Sequence, residues 1–125
     1  MSSRISLFLC DDGDLLDYLN LNLSAGVYLE HIASSEELYQ RLENKIGAPD
    51  ILVLGRSVQE PIRMAEHILV LHEGIKIILL CDDNQKDTFK KSILFSPFLS
   101  SDVSAYVYDT KAIFLDLLQE KVDGI

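Results

Sequence analysis

Apolar runs of strand length alternate with amphipathic stretches five times along the chain. Residues 4–10 form a mostly apolar run that stops at Asp11-Asp12. After Gly13, residues 14–23 place Leu15, Leu16, Leu19 and Leu23 on one side of a helical period, which predicts a helix that Ser24-Ala25-Gly26 ends. Residues 27–33 predict a second strand, with Val27, Leu29 and Ile32 as its apolar members and Glu30 pointing outward. Ser34-Ser35-Glu36-Glu37 predicts a helix start, because a serine hydroxyl accepts a free backbone N–H and Glu37 stands three residues after Ser34, as a capping box requires. That helix carries Leu38, Leu42 and Ile46 and breaks at Gly47-Ala48-Pro49.

Residues 50–54 predict a third strand, and the unbroken apolar stretch from Ile51 to Leu54 predicts burial on both of its faces. A loop over 55–60 follows. Pro61 suits the first turn of a third helix, where its missing N–H does no harm, and the helix runs to about Glu73 before Gly74. Residues 75–80 predict a fourth strand and 85–94 a fourth helix, broken at Ser96-Pro97. Residues 103–108 alternate as a fifth strand, and Thr110 begins a last helix with Ile113, Phe114, Leu117 and Leu118 on its apolar face.

Five strand–helix units with buried central strands predict an α/β fold, a doubly wound parallel sheet with helices on both faces. No GxGxxG follows the first strand and no GxxxxGK[ST] occurs, so both common nucleotide cradles are absent. In such sheets function sits beyond the carboxyl ends of the strands. That directs attention to Asp11-Asp12, Gly55-Arg56-Ser57, Cys81-Asp82-Asp83 and Asp109-Thr110.

Composition narrows the classes. Hydrophobic residues make up 48% of the 125 residues and charged ones 25%, which supports a packed core and argues against disorder. Twenty acidic against eleven basic residues leave a net charge of −9, which repels phosphate backbones and anionic membranes and argues against direct nucleic-acid binding. Apolar runs are too short to span a bilayer, and no secretory leader is recognisable. Two cysteines without a framework suit a reducing, cytoplasmic setting.

The segments Ile-Ser-Leu-Phe-Leu-Cys-Asp11-Asp12, Ser34-Ser35-Glu36-Glu37-Leu38 and Pro49-Asp50-Ile-Leu-Val-Leu-Gly55 together resemble the receiver domains of two-component response regulators, in order and in spacing over essentially the whole chain. The resemblance implies a flavodoxin-type sheet of strand order 2-1-3-4-5. In receivers that switch, an acidic pair holds Mg²⁺, an aspartate ending the third strand takes the phosphoryl group, and a Thr or Ser after the fourth strand and a Lys after the fifth engage it. Carried over, Asp11 and Asp12 match the acidic pair, but Gly55 stands at the phosphoacceptor position, Cys81 at the Thr/Ser position and Asp109 at the Lys position, with Lys111 two residues on. Glycine has no side chain to attack phosphorus. Two carboxylates alone hold Mg²⁺ weakly, and Asp109 adds negative charge near an incoming phosphoryl group. The resemblance therefore implies a pseudo-receiver, not an enzyme, with no cofactor beyond weakly held Mg²⁺.

Other features carry competing readings. Cys10-Asp11-Asp12 and Cys81-Asp82-Asp83 echo one another with zinc-ligand chemistry, but strands one and four would flank strand three, nearly ~10 Å apart, which also excludes an easy disulfide. Two buried strand-end cysteines beside exposed acids is the favoured alternative. Arg56 could neutralise Asp11 or Asp12, or be a solvated loop residue. His31, His67 and His72 have no ligand spacing. Lys86 and Lys90 share a face of the fourth helix, Lys91 follows, and Tyr106 and Tyr108 lie on the fifth strand. In receivers this helix four, strand five, helix five face is the output and dimerisation surface. Beside Asp116 and Glu120 it would support a symmetric homodimer, or else be a solvated basic stripe.

The sequence thus reads as a cytoplasmic, non-catalytic signalling module acting through protein–protein contacts, as the N-terminal domain of a longer regulator. Val53-Leu54-Gly55 is similar to the degenerate receivers at the start of some σ54-type activators, flagellar regulators among them, which implies an attached ATPase and DNA-binding output and a place in transcription regulation. Two alternatives stay open. One is a small-ligand or metal sensor using the acidic pocket. The other is an active phosphoacceptor out of register, although the nearest acid beyond the third strand, Glu60, is too far along for a slip.

Overall fold

The structure, a computed structural model, describes residues 5–10, 14–23, 26–43, 48–72, 74–97, 99 and 103–124. Strands β1 (Ile5–Cys10), β2 (Val27–His31), β3 (Ile51–Leu54), β4 (Lys76–Cys81) and β5 (Val103–Val107) alternate with helices α1 (Asp14–Asn22), α2 (Ser35–Glu43), α3 (Pro61–Leu71), α4 (Lys86–Phe95) and α5 (Lys111–Asp123). All pairings are parallel, in the order β2-β1-β3-β4-β5. The expected doubly wound α/β fold is therefore present. Among the described residues, no helix is long and apolar enough to cross a membrane.

Strand alternation sorts the core into two layers. Phe8, Cys10, Leu52, Leu54, Ile77, Leu79, Val103 and Ala105 face α2, α3 and α4, meeting Leu38, Leu42, Met64, Ala65 and Ile68. Leu7, Leu9, Ile51, Val53, Ile78 and Leu80 face α1 and α5, meeting Leu15, Leu19, Phe114, Leu118 and Val122. The unbroken apolar run of β3 arises because both faces of a central strand are covered, and all four of its residues are fully buried. Each such side chain contributes about 1.5–3 kcal/mol by leaving water. Among the described residues the core contains no buried polar or charged side chain, so the chemistry is confined to the sheet's edges and surface.

Local signals fix the element ends. Ser34 Oγ accepts from the Glu37 N–H at 3.1 Å, and the Glu37 carboxylate accepts from the Ala33 N–H at 3.0 Å, one residue earlier than the ideal capping box. Pro61 opens α3, and Gly74 follows it at φ 97, a left-handed turn that favours glycine. Asp50 anchors the opposite sheet edge, pairing with Ser6 through both backbone and carboxylate at 2.8 Å. The fourth helix starts one residue later than the sequence predicts, because Asp83–Gln85 forms a 3₁₀ turn first. Ile46 at the expected end of α2 lies outside the described residues.

Glu30 corrects the outward assignment. It shares a register level with Phe8, on the sheet face covered by α2, and pairs with Arg41 of that helix. The Arg41 guanidinium also lies 5.5 Å from the centroid of the Phe8 ring. An edge strand under a helix lets a long acid reach a helical cation while its backbone stays in the sheet.

Candidate functional site

The carboxyl ends of β1, β3 and β4 converge on Gly55. Cys10 is level with Leu54, so the next residue, Gly55, begins just past the ladder. Gly55 is buried, its N–H donates to the Cys10 carbonyl at 2.8 Å, and its own carbonyl accepts the Val58 N–H at 3.1 Å. Both main-chain groups of the tip are thus used, and no side chain emerges from it. On the β5 side, the Tyr108 N–H donates to the Cys81 carbonyl at 2.9 Å, extending the ladder, and the Thr110 hydroxyl caps α5 by accepting the Ile113 N–H at 3.2 Å. Asp109 between them is exposed, as is Lys111. Asp11 and Asp12, the matched acidic pair, lie outside the described residues.

Arg56 turns toward β4 and β5. Its guanidinium lies 3.3 Å from the Asp82 carboxylate and 4.6 Å from the centroid of the Tyr108 ring. Tyr108 in turn packs against Phe114 of α5, with ring centroids 6.2 Å apart. One side chain therefore joins three loops, those following β3, β4 and β5. Asp82 is held for this contact by its own turn, since its N–H donates to the Gln85 side chain at 3.0 Å. Pairing of Arg56 with Asp11 or Asp12 concerns residues outside the described ones. The described partners are Asp82 and Tyr108, and only the strand order reveals that an acid 26 residues away shares this edge.

Cys81 is fully buried at the end of β4, and its thiol donates to the Tyr106 carbonyl at 3.4 Å. Burial, seconded by the negative charge of Asp82, pushes this thiol above its ordinary value. Burial at the end of β4 thus favours the protonated, packed thiol. Cys10 and Cys81 are both buried and not joined by a disulfide, on strands that flank β3 from opposite sides.

Among the described residues, no group of three His, Cys, Asp or Glu side chains could hold a metal ion. At the tip itself Gly55 supplies no side-chain oxygen, and its carbonyl already accepts from Val58. Two of the histidines make contacts within the fold. His67 meets Tyr39 edge-on at 5.2 Å, and the His72 ring bonds the Leu42 carbonyl near the end of α2.

Two concave surfaces border this edge. A polar cleft of about 250 Å³ is lined by Cys10, Ser34, Ser35, Ser57, Val58 and Gln59. A groove of about 320 Å³ runs between α4 and the open edge of β5, lined by Lys90, Ile93, Val103, Ser104, Ala105 and Tyr106. Lys86, at the start of α4, is half-buried. Across Tyr106, Lys121 of α5 brings its ammonium to 5.9 Å from the ring centroid. Among the described residues, no ion pair joins the lysines of α4 to Asp116 or Glu120. Comparison with known proteins finds no matching protein family, no matching curated protein and no matching solved structure.

Proposed function

We propose that this chain is a receiver-like signalling module without phosphotransfer, working by protein–protein contact in two-component signal transduction. The observation that carries the reading is the tip of β3. Gly55 stands there with both main-chain groups bonded, and the following side chain is committed to Asp82 and Tyr108. The tip of β3 itself offers no carboxylate to attack phosphorus. The loops that a phosphoryl group draws together in an active receiver are instead tied by a guanidinium already present in the chain. At the end of β4 stands Cys81, its thiol bonded to the Tyr106 carbonyl, where a switching receiver has a hydroxyl to hold phosphate.

Output by contact fits the groove between α4 and β5, whose Lys90 and Tyr106 are candidate interface residues for a partner protein or a symmetric homodimer. A place in transcription regulation follows from the same family reading. Beryllofluoride with Mg²⁺ imitates the phosphorylated state and tests the proposal. The backbone amides of Gly55, Cys81 and Thr110 are expected to keep their NMR shifts, and saturable movement of these signals would overturn it.

A second reading has its own support. The serine-lined cleft beside the strand ends offers hydroxyl and amide groups to a small polar ligand, as a sensor would. A screen for thermal stabilisation by metals and nucleotides separates the two, because the contact module gains nothing from either.

A further inference from the structure

We infer that the open edge of β5 takes up an acidic, extended segment of a partner protein as a further strand of the sheet. This rests on the contact function proposed above, and gives its groove one occupant and a binding mode.

Three observations carry it. First, β5 ends the sheet and pairs with β4 alone. The Tyr108 N–H donates to the Cys81 carbonyl and the Tyr106 carbonyl accepts from the Cys81 thiol, so these residues turn their main-chain groups toward β4. Alternation along the strand then turns the N–H and C=O groups of Val103, Ala105 and Val107 outward. Such a row is a ready template for another strand. The strand itself, Val-Ser-Ala-Tyr-Val, carries neither charge nor proline, the residues that commonly blunt an exposed edge.

Second, a groove of about 320 Å³ runs along this edge, with Lys90 and Ile93 of α4 above it. Val103 and Ala105 direct their side chains into the core layer under α4. The outward main chain of β5 therefore meets the groove with little side-chain bulk. Successive side chains of an added strand would point to opposite faces, one set meeting Lys90 and Ile93, the other Tyr106 and α5.

Third, cations flank the edge on both faces. Lys90 lines the groove, and Lys121 of α5 brings its ammonium to 5.9 Å from the Tyr106 ring centroid. Lys86, one turn before Lys90, shares with it an electrostatic pull on the Cys81 thiol, which is level with Val107. Among the described residues, no ion pair engages any of these lysines. The acids Asp116 and Glu120 of α5 are exposed and do not line the groove. In a chain of net charge −9, unpaired lysines around one strand edge select an acidic occupant. A second copy fits worse. Pairing β5 with β5 about a twofold axis would set α4 beside α4 and bring like charges together.

The test titrates the full chain into a fluorescein-labelled peptide in which pairs of glutamates alternate with pairs of valines, so that each face of the extended peptide carries both. One twin has lysine in place of glutamate. Another keeps the side chains but is N-methylated along its backbone, which removes the donors that strand addition needs. The acidic peptide is expected to bind saturably and to slow hydrogen exchange at the Ala105 and Val107 amides. Each twin is expected to bind at least about tenfold more weakly, as is the acidic peptide to the Lys90→Glu chain. Lys91→Glu, at the neighbouring exposed lysine, is expected to leave binding within about twofold. Both lysines are exposed, so circular dichroism is expected to show native folding in each variant. Absence of saturable binding, undiminished binding of either twin, or unchanged exchange at Ala105 and Val107 would overturn the inference. So would a dimer in sedimentation that protects the same amides, since that gives the edge to a second copy. Beryllofluoride reads the underlying proposal separately. Unmoved amides at Gly55, Cys81 and Thr110 with no peptide binding remove the strand addition alone, whereas moved amides remove the reading it rests on.

Discussion

Replacing Arg56 by alanine removes two contacts at once, the ion pair with Asp82 at 3.3 Å and the stacking over Tyr108 at 4.6 Å. Neither is strong alone. The side chains of Arg56 and Asp82 are 50% and 59% exposed, so water screens the pair to the lower part of the range for surface bridges, about 0.2–1 kcal/mol. A partly exposed cation over a phenol ring adds about 0.5–1 kcal/mol. The sum is about 1 kcal/mol. For a chain of 125 residues, with an unfolding entropy of about 2.1 cal/mol/K per residue, that lowers Tm by about 4 °C. Double-mutant cycles with Asp82→Asn and with Tyr108→Leu, read by urea unfolding, apportion the two contacts. High salt is expected to erase the Asp82 coupling and leave the Tyr108 coupling, since screening weakens the exposed pair first. Hydrogen exchange is expected to quicken in the turn from Gly55 to Val58 and at Tyr108 together. If Arg56 shows coupling below about 0.2 kcal/mol to both partners, the three loops are not joined through its guanidinium and the reasoning fails.

Two further outcomes follow from the same edge. The Cys81 thiol is raised in the folded state by burial and by Asp82, so its contribution to stability is complete below its ordinary value of 9.0 and is lost as pH rises through the higher folded value. Urea midpoints are expected to fall as pH rises from 9.0 toward that higher value in the native chain, and to fall less steeply in Cys81→Ala. Removing the cap hydroxyl with Thr110→Ala frees the Ile113 N–H and is expected to cost about 1 kcal/mol in thermal unfolding, with Thr110→Ser restoring most of it.

The fold was legible because each layer repeats a local rule. The buried run of β3, the serine cap of α2, the proline opening α3 and the threonine capping α5 each announce themselves within a few residues. Side chains are less legible where their surroundings depend on elements far away in the chain. Glu30 reads as outward from alternation alone, but on an edge strand covered by α2 the polar side meets Arg41. Arg56 is the sharpest case. Its neighbour Gly55 marks the strand tip, but the direction of its side chain depends on which strands flank β3 and on an aromatic residue placed just beyond β5. The pairing of an isolated loop cation with an Asp that starts a turn after the next strand is the signal that sequence spacing could have offered.

The most direct test of the account is the intact mass of the chain after incubation with acetyl phosphate and Mg²⁺. With Gly55 at the tip of β3, the mass is predicted to stay at that of the unmodified 14.1 kDa chain. A Mg²⁺-dependent gain of one phosphoryl group, mapped to an aspartate at the carboxyl edge of the sheet, would contradict it.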